Sequence, residues 1–189
     1  MSTSAIVTIV AAVIPLTWFI ATYNRFIRLR QHLRDSWAGI DVELKRRHDL
    51  IPNLVEVVKG YATHERTVLE RVVELRNRAS VDHRSRADLA TDETALMRGM
   101  KQLFAVVEQY PELKADRHYA QLQRELAITE DRIAAARRFY NGNVRDWTVL
   151  RDSFPATLIA GLFGFRQLDP EYFELASDAE RVVPRVLTS

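Results

Sequence analysis

A chain of 189 residues with 27 Lys and Arg against 25 Asp and Glu has a formal charge of only +2, so no global field directs it to nucleic acid. The lack of cysteine excludes disulfides, thiolate metal sites, iron–sulfur ligation and cysteine nucleophiles. Six glycines, six prolines and a mean hydropathy of −0.19 describe a folded, helix-rich chain rather than a disordered one.

The first element is apolar. No charged side chain occurs between Met1 and Asn24, and the stretch from Ala5 to Tyr23, AIVTIVAAVIPLTWFIATY, is about 19 residues long. At about 1.5 Å per residue, a helix of that length matches the hydrocarbon core of a bilayer. Ile6, Ile9, Val13, Leu16 and Phe19 supply its apolar body, while Trp18 and Tyr23 stand near its C-terminal end, where an interfacial belt would hold them. A cleaved signal peptide fits less well. Ser-Thr-Ser precedes the run where that reading wants a basic residue, and Phe19 stands two residues before Ala21 where it wants a small one. Arg25, Arg28, Arg30 and Arg34 come after the run with no acid before Asp35, so the positive-inside rule predicts the N-terminus outside and the rest in the cytoplasm. The same arginines are placed to meet anionic lipid headgroups, although setting the topology already accounts for them.

Helical periodicity then continues. Leu29, Leu33, Trp37, Ile40 and Leu44 step by three and four between charged faces, which predicts an amphipathic arm continuous with the anchor. Pro52 interrupts it. A proline lacks an N–H and disfavours helical geometry at Ile51, so the helix is expected to kink or stop there, and the sequence leaves open which. Arg46, Arg47 and His48 would then suit a helix C-terminus, and Asp49 would cap the next helix. A second helix runs through Val58, Val68, Leu69, Val72 and Leu75. The polar, aperiodic stretch 80–91 is expected as the main loop, with Thr91 or Asp92 capping a third helix that carries Leu96, Met100, Leu103 and Val107 and ends at Tyr110-Pro111. The clearest helix runs through Tyr119, Leu122, Leu126, Thr129, Ile133, Ala136, Tyr140, Val144 and Trp147, with a weak point at Gly142. Phe154-Pro155 ends it. The apolar segment from Leu158 to Phe165 is too short to span a bilayer, and an acidic, aromatic tail comes after it.

Amphipathic stretches of this length bury their stripes most economically against one another. The expected fold is all-α, an N-terminal transmembrane helix followed by an antiparallel helical bundle of long helices. The expected divisions are an anchor over 1–24, a cytoplasmic bundle over 25–168 and a C-terminal tail over 169–189.

Three stretches resemble the LemA family of bacterial membrane proteins. Tyr23-Asn24-Arg25 with Arg28-Leu29-Arg30 marks the membrane exit. Lys45-Arg46-Arg47-His48-Asp49-Leu50-Ile51-Pro52-Asn53-Leu54-Val55-Glu56, running on to His64-Glu65, is similar to the family's signature. Phe139-Tyr140-Asn141, Ser153-Phe154-Pro155 and Leu158 to Phe165 are similar to its C-terminal pattern. The resemblance covers nearly the whole chain. It implies a bacterial envelope protein with one N-terminal span and a cytoplasmic bundle, and it implies no established activity. Departures at Gly142-Asn143, Trp147 and Ala156-Thr157 touch no reacting group.

Sequence motifs for chemistry are missing. Neither GxxxxGK[ST], GxGxxG, GxSxG nor HExxH occurs, and no two histidines have the i, i+4 spacing of a helical zinc site. His48-Asp49 and His64-Glu65 would converge only if Pro52 turned the chain back. No catalytic, cofactor-binding or metal-binding residue is therefore assigned, and the chain is not expected to be an enzyme. The basic pairs are short and surrounded by acids, which fits solvated helix faces better than nucleic-acid binding. Two features suggest interaction instead: the polar signature of Arg46, Arg47, His48, Asp49, Asn53 and Glu56, and the apolar segment with Leu158, Phe163 and Phe165, which either closes the bundle or forms an exposed patch. The expected function is a membrane-anchored scaffold with an unidentified envelope protein partner, homo-oligomers included. The alternatives are a metal-dependent hydrolase and a bundle that binds a peptide or amphiphile.

Overall fold

A computed structural model describes residues 3–62 and 64–175, with the side chains of residues 5–10 outside the described set. Among the described residues all regular structure is helical. The helices are α1 (Thr3–Lys59), α2 (Arg66–Ala79), α3 (Arg86–Val107), α4 (Pro111–Ala115), α5 (Arg117–Asp152) and α6 (Ala156–Leu162), followed by a short 3-10 turn at Phe165–Gln167. The expected all-helical class is thus observed. Among the described residues, no helix is long and apolar enough to cross a membrane. Ile6 and Ile9 lie outside the described side chains, and the described part of the apolar run begins at Ala11.

The chain divides into two compact units. One comprises Met1–Ala38 with Arg138–Tyr172, the other Gly39–Arg137 with Phe173–Ser189.

In the first unit, α1 and α5 pair antiparallel. Trp37 meets Tyr140 edge to face at 5.3 Å, Asn143 Nδ2 donates to the His32 carbonyl at 3.4 Å, and Phe26 meets Trp147 at 5.7 Å. The partner number rises as the α1 number falls. Phe26, Leu33, Tyr140, Val144, Trp147, Ile159, Ala160 and Phe165 are buried. The Trp147 indole donates to the Leu168 carbonyl at 3.0 Å and the Tyr140 hydroxyl to the Glu171 carbonyl at 2.9 Å, which fastens the extended segment after the 3-10 turn. Gly164, at φ 73°, supplies the left-handed turn that joins α6 to this segment.

In the second unit, the C-terminal part of α1 packs with α2, α3 and the first part of α5. The Arg76 guanidinium reaches the His48 carbonyl, Arg78 pairs with Asp92, and Tyr61 meets Asp116, so neighbouring helices alternate in direction. The core holds Ile51, Leu54, Val58, Leu69, Val72, Leu75, Leu96, Met100, Leu103, Val107, Leu113 and Leu126. Most are the positions that the three-and-four spacing selects. At Gly99 a Cβ would stand 2.7 Å from Leu75 Cδ1, so the glycine permits the close approach of α2 and α3.

Two expectations are corrected. Pro52 neither stops nor reverses the helix: α1 runs through it to Lys59, and the turn falls after Gly60. Arg46, Arg47 and His48 therefore sit inside a helix rather than at its end, and Asp49 caps nothing. The loop is also shorter than expected. Ser85 caps α3, its hydroxyl accepting from the Asp88 amide at 3.1 Å, so Thr91 and Asp92 already lie within the helix. The tail is packed as far as Leu175, since Phe173 and Leu175 are both buried.

Candidate functional site

The second unit encloses a charged cluster. Arg47 lies on the inward face of α1, with Ile51, Leu54 and Val58 at helical spacing below it, and its side chain is completely buried. Its Nη1 donates to Glu130 Oε1 on α5 at 2.8 Å, and its Nη2 donates to Glu93 Oε2 on α3. Glu93 is also completely buried, and its other oxygen meets His48 Nε2 at 2.9 Å. One cation thus ties together three helices. Burial opposes the charge on Arg47, but Glu93 and Glu130 more than offset that penalty, leaving its pKa above the ordinary guanidinium value. Arg47 Nε, buried in the same place, has no hydrogen-bond partner.

Most of this cluster is shut off from solvent. Arg47 and Glu93 have no accessible surface, and Glu130 alone reaches water appreciably, with 36 % of its side chain exposed. Paired charges this deep contribute little net stability over an apolar core, but removing one partner strands the other. Their effect is to fix which residues of α1, α3 and α5 stand level.

The signature stretch therefore splits by helix face. Arg47 and His48 point inward, whereas Arg46, Asp49, Asn53 and Glu56 are exposed. Asn53 and Glu56 line a shallow pocket of about 380 Å³ with His118, Gln121 and Leu122. A second depression of about 670 Å³ is lined by Val55, Ala62, Leu69 and Val73, with Lys59, Arg66 and Glu70 also at its wall. His64 and Glu65 lie beyond the end of α1. His48 is about 17 Å from Lys59 along the axis, so Pro52 does not bring the two His-acid pairs together. Among the described residues, no group of three or more His, Cys, Asp or Glu is placed to hold a metal ion.

Glu93, Glu130 and Arg76 did not emerge from the sequence. A signal existed for Glu93, because it stands one turn before Leu96 and in phase with Met100 and Leu103 on the buried face of α3. A charge on an apolar stripe indicates a partner across the core.

The apolar C-terminal segment splits too. Phe165 is buried and stacks on Phe26 at 4.7 Å, while Leu158 and Phe163 are exposed. Arg25, Arg28 and Arg34 are exposed on α1 and Arg30 is half-buried. Val13, Leu16 and Trp18 are exposed, with Phe19 and Tyr23 half-buried.

These features define an all-helical protein whose second unit encloses a buried ion cluster. Residues 36–187 match the profile of the LemA family, and the chain belongs to that family. It is similar to the magnetosome protein MamQ of Magnetospirillum gryphiswaldense, 21% identical over an alignment of 206 residues that covers 95% of this chain and 75% of the relative. The magnetosome protein MamQ 2 of Paramagnetospirillum magneticum is 24% identical over 209 aligned residues, covering 94% and 76%. Protein LemA of Metamycoplasma hominis is 27% identical over 126 residues, covering 65% of this chain and 56% of the relative.

Proposed function

We propose that the protein is a non-catalytic, membrane-tethered scaffold of the bacterial cell envelope. Its N-terminal run is held in the cytoplasmic membrane with the N-terminus outside. Its helical domain stands in the cytoplasm and offers helix surfaces to an envelope protein partner, other copies of the chain included. The observation that carries this reading is the exposure of the apolar run. From Ala11 to Ile20 every side chain except that of Phe19 is exposed, Ile14, Leu16 and Ile20 by 50 % or more. A helix that is apolar on all sides and unburied by protein is suited to lipid. Residues 5–10 extend the run in sequence to about 19, and Arg25, Arg28, Arg30 and Arg34 favour the cytoplasm for the remainder of the chain.

Two of the relatives are named for an organelle, the magnetosome, and none of the three names specifies a reaction. A structural role agrees with that. The signature residues Arg47 and His48 are engaged in interhelical pairing, and a hydrolase built from His48, Asp49, His64 and Glu65 lacks the chain reversal it needs. The apolar depression beside Val55, Leu69 and Val73 favours a second reading, binding of a peptide or amphiphile. Val73→Arg should abolish uptake of a hydrophobic dye if that reading holds.

Alkaline carbonate extraction tests the tether. The full chain should stay with bacterial membranes and a chain beginning at Arg25 should be released; release of the full chain would overturn the proposal. A reporter fused after Ser189 should behave as cytoplasmic. Crosslinking in intact membranes, with mass spectrometry of the products, should return a recurring protein partner or a homo-oligomer.

A further inference from the structure

The outer face of α6 is unusual for a helix outside a membrane span. Leu158 is 64 % exposed, Leu162 75 % and Phe163 43 %, with Phe154 just before the helix at 81 %. The opposite face, Ala156, Ile159 and Ala160, is buried. The helix, Ala156–Leu162, contains no charged residue. Its position is fixed by aromatic contacts: the Phe163 ring lies 5.8 Å from Phe19 and 5.0 Å from Tyr23, and Phe165 lies 5.7 Å from Tyr23. Phe19 and Tyr23 are one helical turn apart at the C-terminal end of the apolar run, so α6 stands level with the point where that run gives way to Arg25 and Arg28.

We propose that Phe154, Leu158, Leu162 and Phe163 form a second membrane contact, an apolar foot that enters the lipid interface beside the anchor. The inference rests on the tether proposed above, because the anchor sets the depth at which α6 lies. Three observations select lipid over a protein as the occupant. The foot is continuous, through Phe163 and Phe19, with the exposed apolar surface that includes Trp18 and Ile20. Exposed Arg166 adjoins it, and the exposed Arg25 and Arg28 follow Tyr23 along α1, at the level where headgroups would stand and where cations complement anionic lipid. Arg166 is held there by donating to the Thr157 hydroxyl at 2.8 Å. A helix that is apolar on its outward face, with cations at its margin, lies in the interfacial plane rather than across it. Together the two contacts would restrain the first unit against swivelling about α1, which a lone span permits.

Because the chain has no cysteine, single-cysteine labelling requires no other change. The full chain carrying Val13→Cys, Leu158→Cys, Leu162→Cys or Phe139→Cys is labelled with an environment-sensitive fluorophore. It is then reconstituted into vesicles of phosphatidylethanolamine and phosphatidylglycerol, and circular dichroism verifies the fold of each variant. Phe139, 62 % exposed on α5 beside the Tyr140–Trp37 contact, is the aqueous control. Labels at 158 and 162 should be quenched several-fold more by lipid-borne nitroxide than by iodide, with the reverse at 139. If 158 and 162 behave like 139 while 13 is quenched from the lipid, the foot is wrong and the tether stands. If 13 is also quenched by iodide, both fail. Protection of 158 and 162 from both quenchers would place a protein over the foot, and would equally overturn the inference.

Discussion

The side chain of Arg76 donates from Nε to the backbone carbonyl of His48 at 3.0 Å. That carbonyl is the one a residue at position 52 would normally engage, and position 52 is proline, which has no N–H to give. Arg76 on α2 thus fills, from a neighbouring helix, the acceptor that Pro52 leaves vacant. It explains how α1 passes through a proline without ending, and it makes the continuity of α1 depend on the packing of α2.

The two residues should therefore be energetically coupled. Arg76→Ala should destabilise the protein by about 1–2 kcal/mol, the range for a partly buried hydrogen bond from a charged donor. In a Pro52→Ala background, where an amide at position 52 supplies the missing donor, the same substitution should cost less than half as much. Urea unfolding of the detergent-solubilised chain gives the cycle. Equal costs in the two backgrounds would show that the bond is incidental.

Arg47 and Glu93 supply a larger effect. Arg47→Met should cost about 3–5 kcal/mol, because it leaves Glu93 buried without its cation. Arg47→Met with Glu93→Met should recover most of that loss, since an apolar pair of similar volume needs no desolvation of charge. Thermal unfolding of both variants decides the matter. A double variant no better than the single one would show that the ion pair itself is required for the folded state.

Much of this architecture is legible in periodicity. Spacing alone selects Leu126, Ile133, Tyr140, Val144 and Trp147, and all are buried. Other features are not legible, for different reasons. Continuation of the helix through Pro52 depends on Arg76, a residue 24 positions away whose contact no local pattern encodes. The start of α3 is hidden because its first turns expose polar residues, Asp88 and Thr91 among them, so the apolar stripe begins late. The inward turn of Arg47 is concealed as well: three successive basic residues suggest a solvated end, and only the partner carboxylates on α3 and α5 make burial of one of them tolerable.

Asp116 gives the pH dependence. Its Oδ1 accepts from the Tyr119 amide at 2.9 Å, capping the start of α5, and its Oδ2 accepts from the Tyr61 hydroxyl at 3.2 Å. The hydrogen bond from the Tyr119 amide, chiefly, holds its carboxyl below the usual value of 3.8. A carboxyl depressed in the folded state contributes stability that is complete above the unfolded value and is lost as pH falls through the folded one. Asp116→Ala should thus lower Tm by a few degrees at pH 7, and the gap to the parent should narrow as pH falls below the ordinary carboxylate value of 3.8. A gap that persisted unchanged in acid would mean that the carboxylate charge plays no part.

The apolar C-terminal segment predicts opposite outcomes for neighbouring residues. Phe165 is buried against Phe26 and Trp147, at 4.7 and 6.0 Å, so Phe165→Ala removes a large side chain from a packed aromatic cluster and should cost about 3–5 kcal/mol. Leu158, seven residues earlier, is 64 % exposed. Leu158→Ala should change stability in detergent by no more than about 0.5 kcal/mol, the ordinary range for a surface position. Chemical denaturation in a non-ionic detergent separates the two. Similar costs at both positions would mean that the segment packs as a single core element, and the distinction between its inward and outward faces would fail with them.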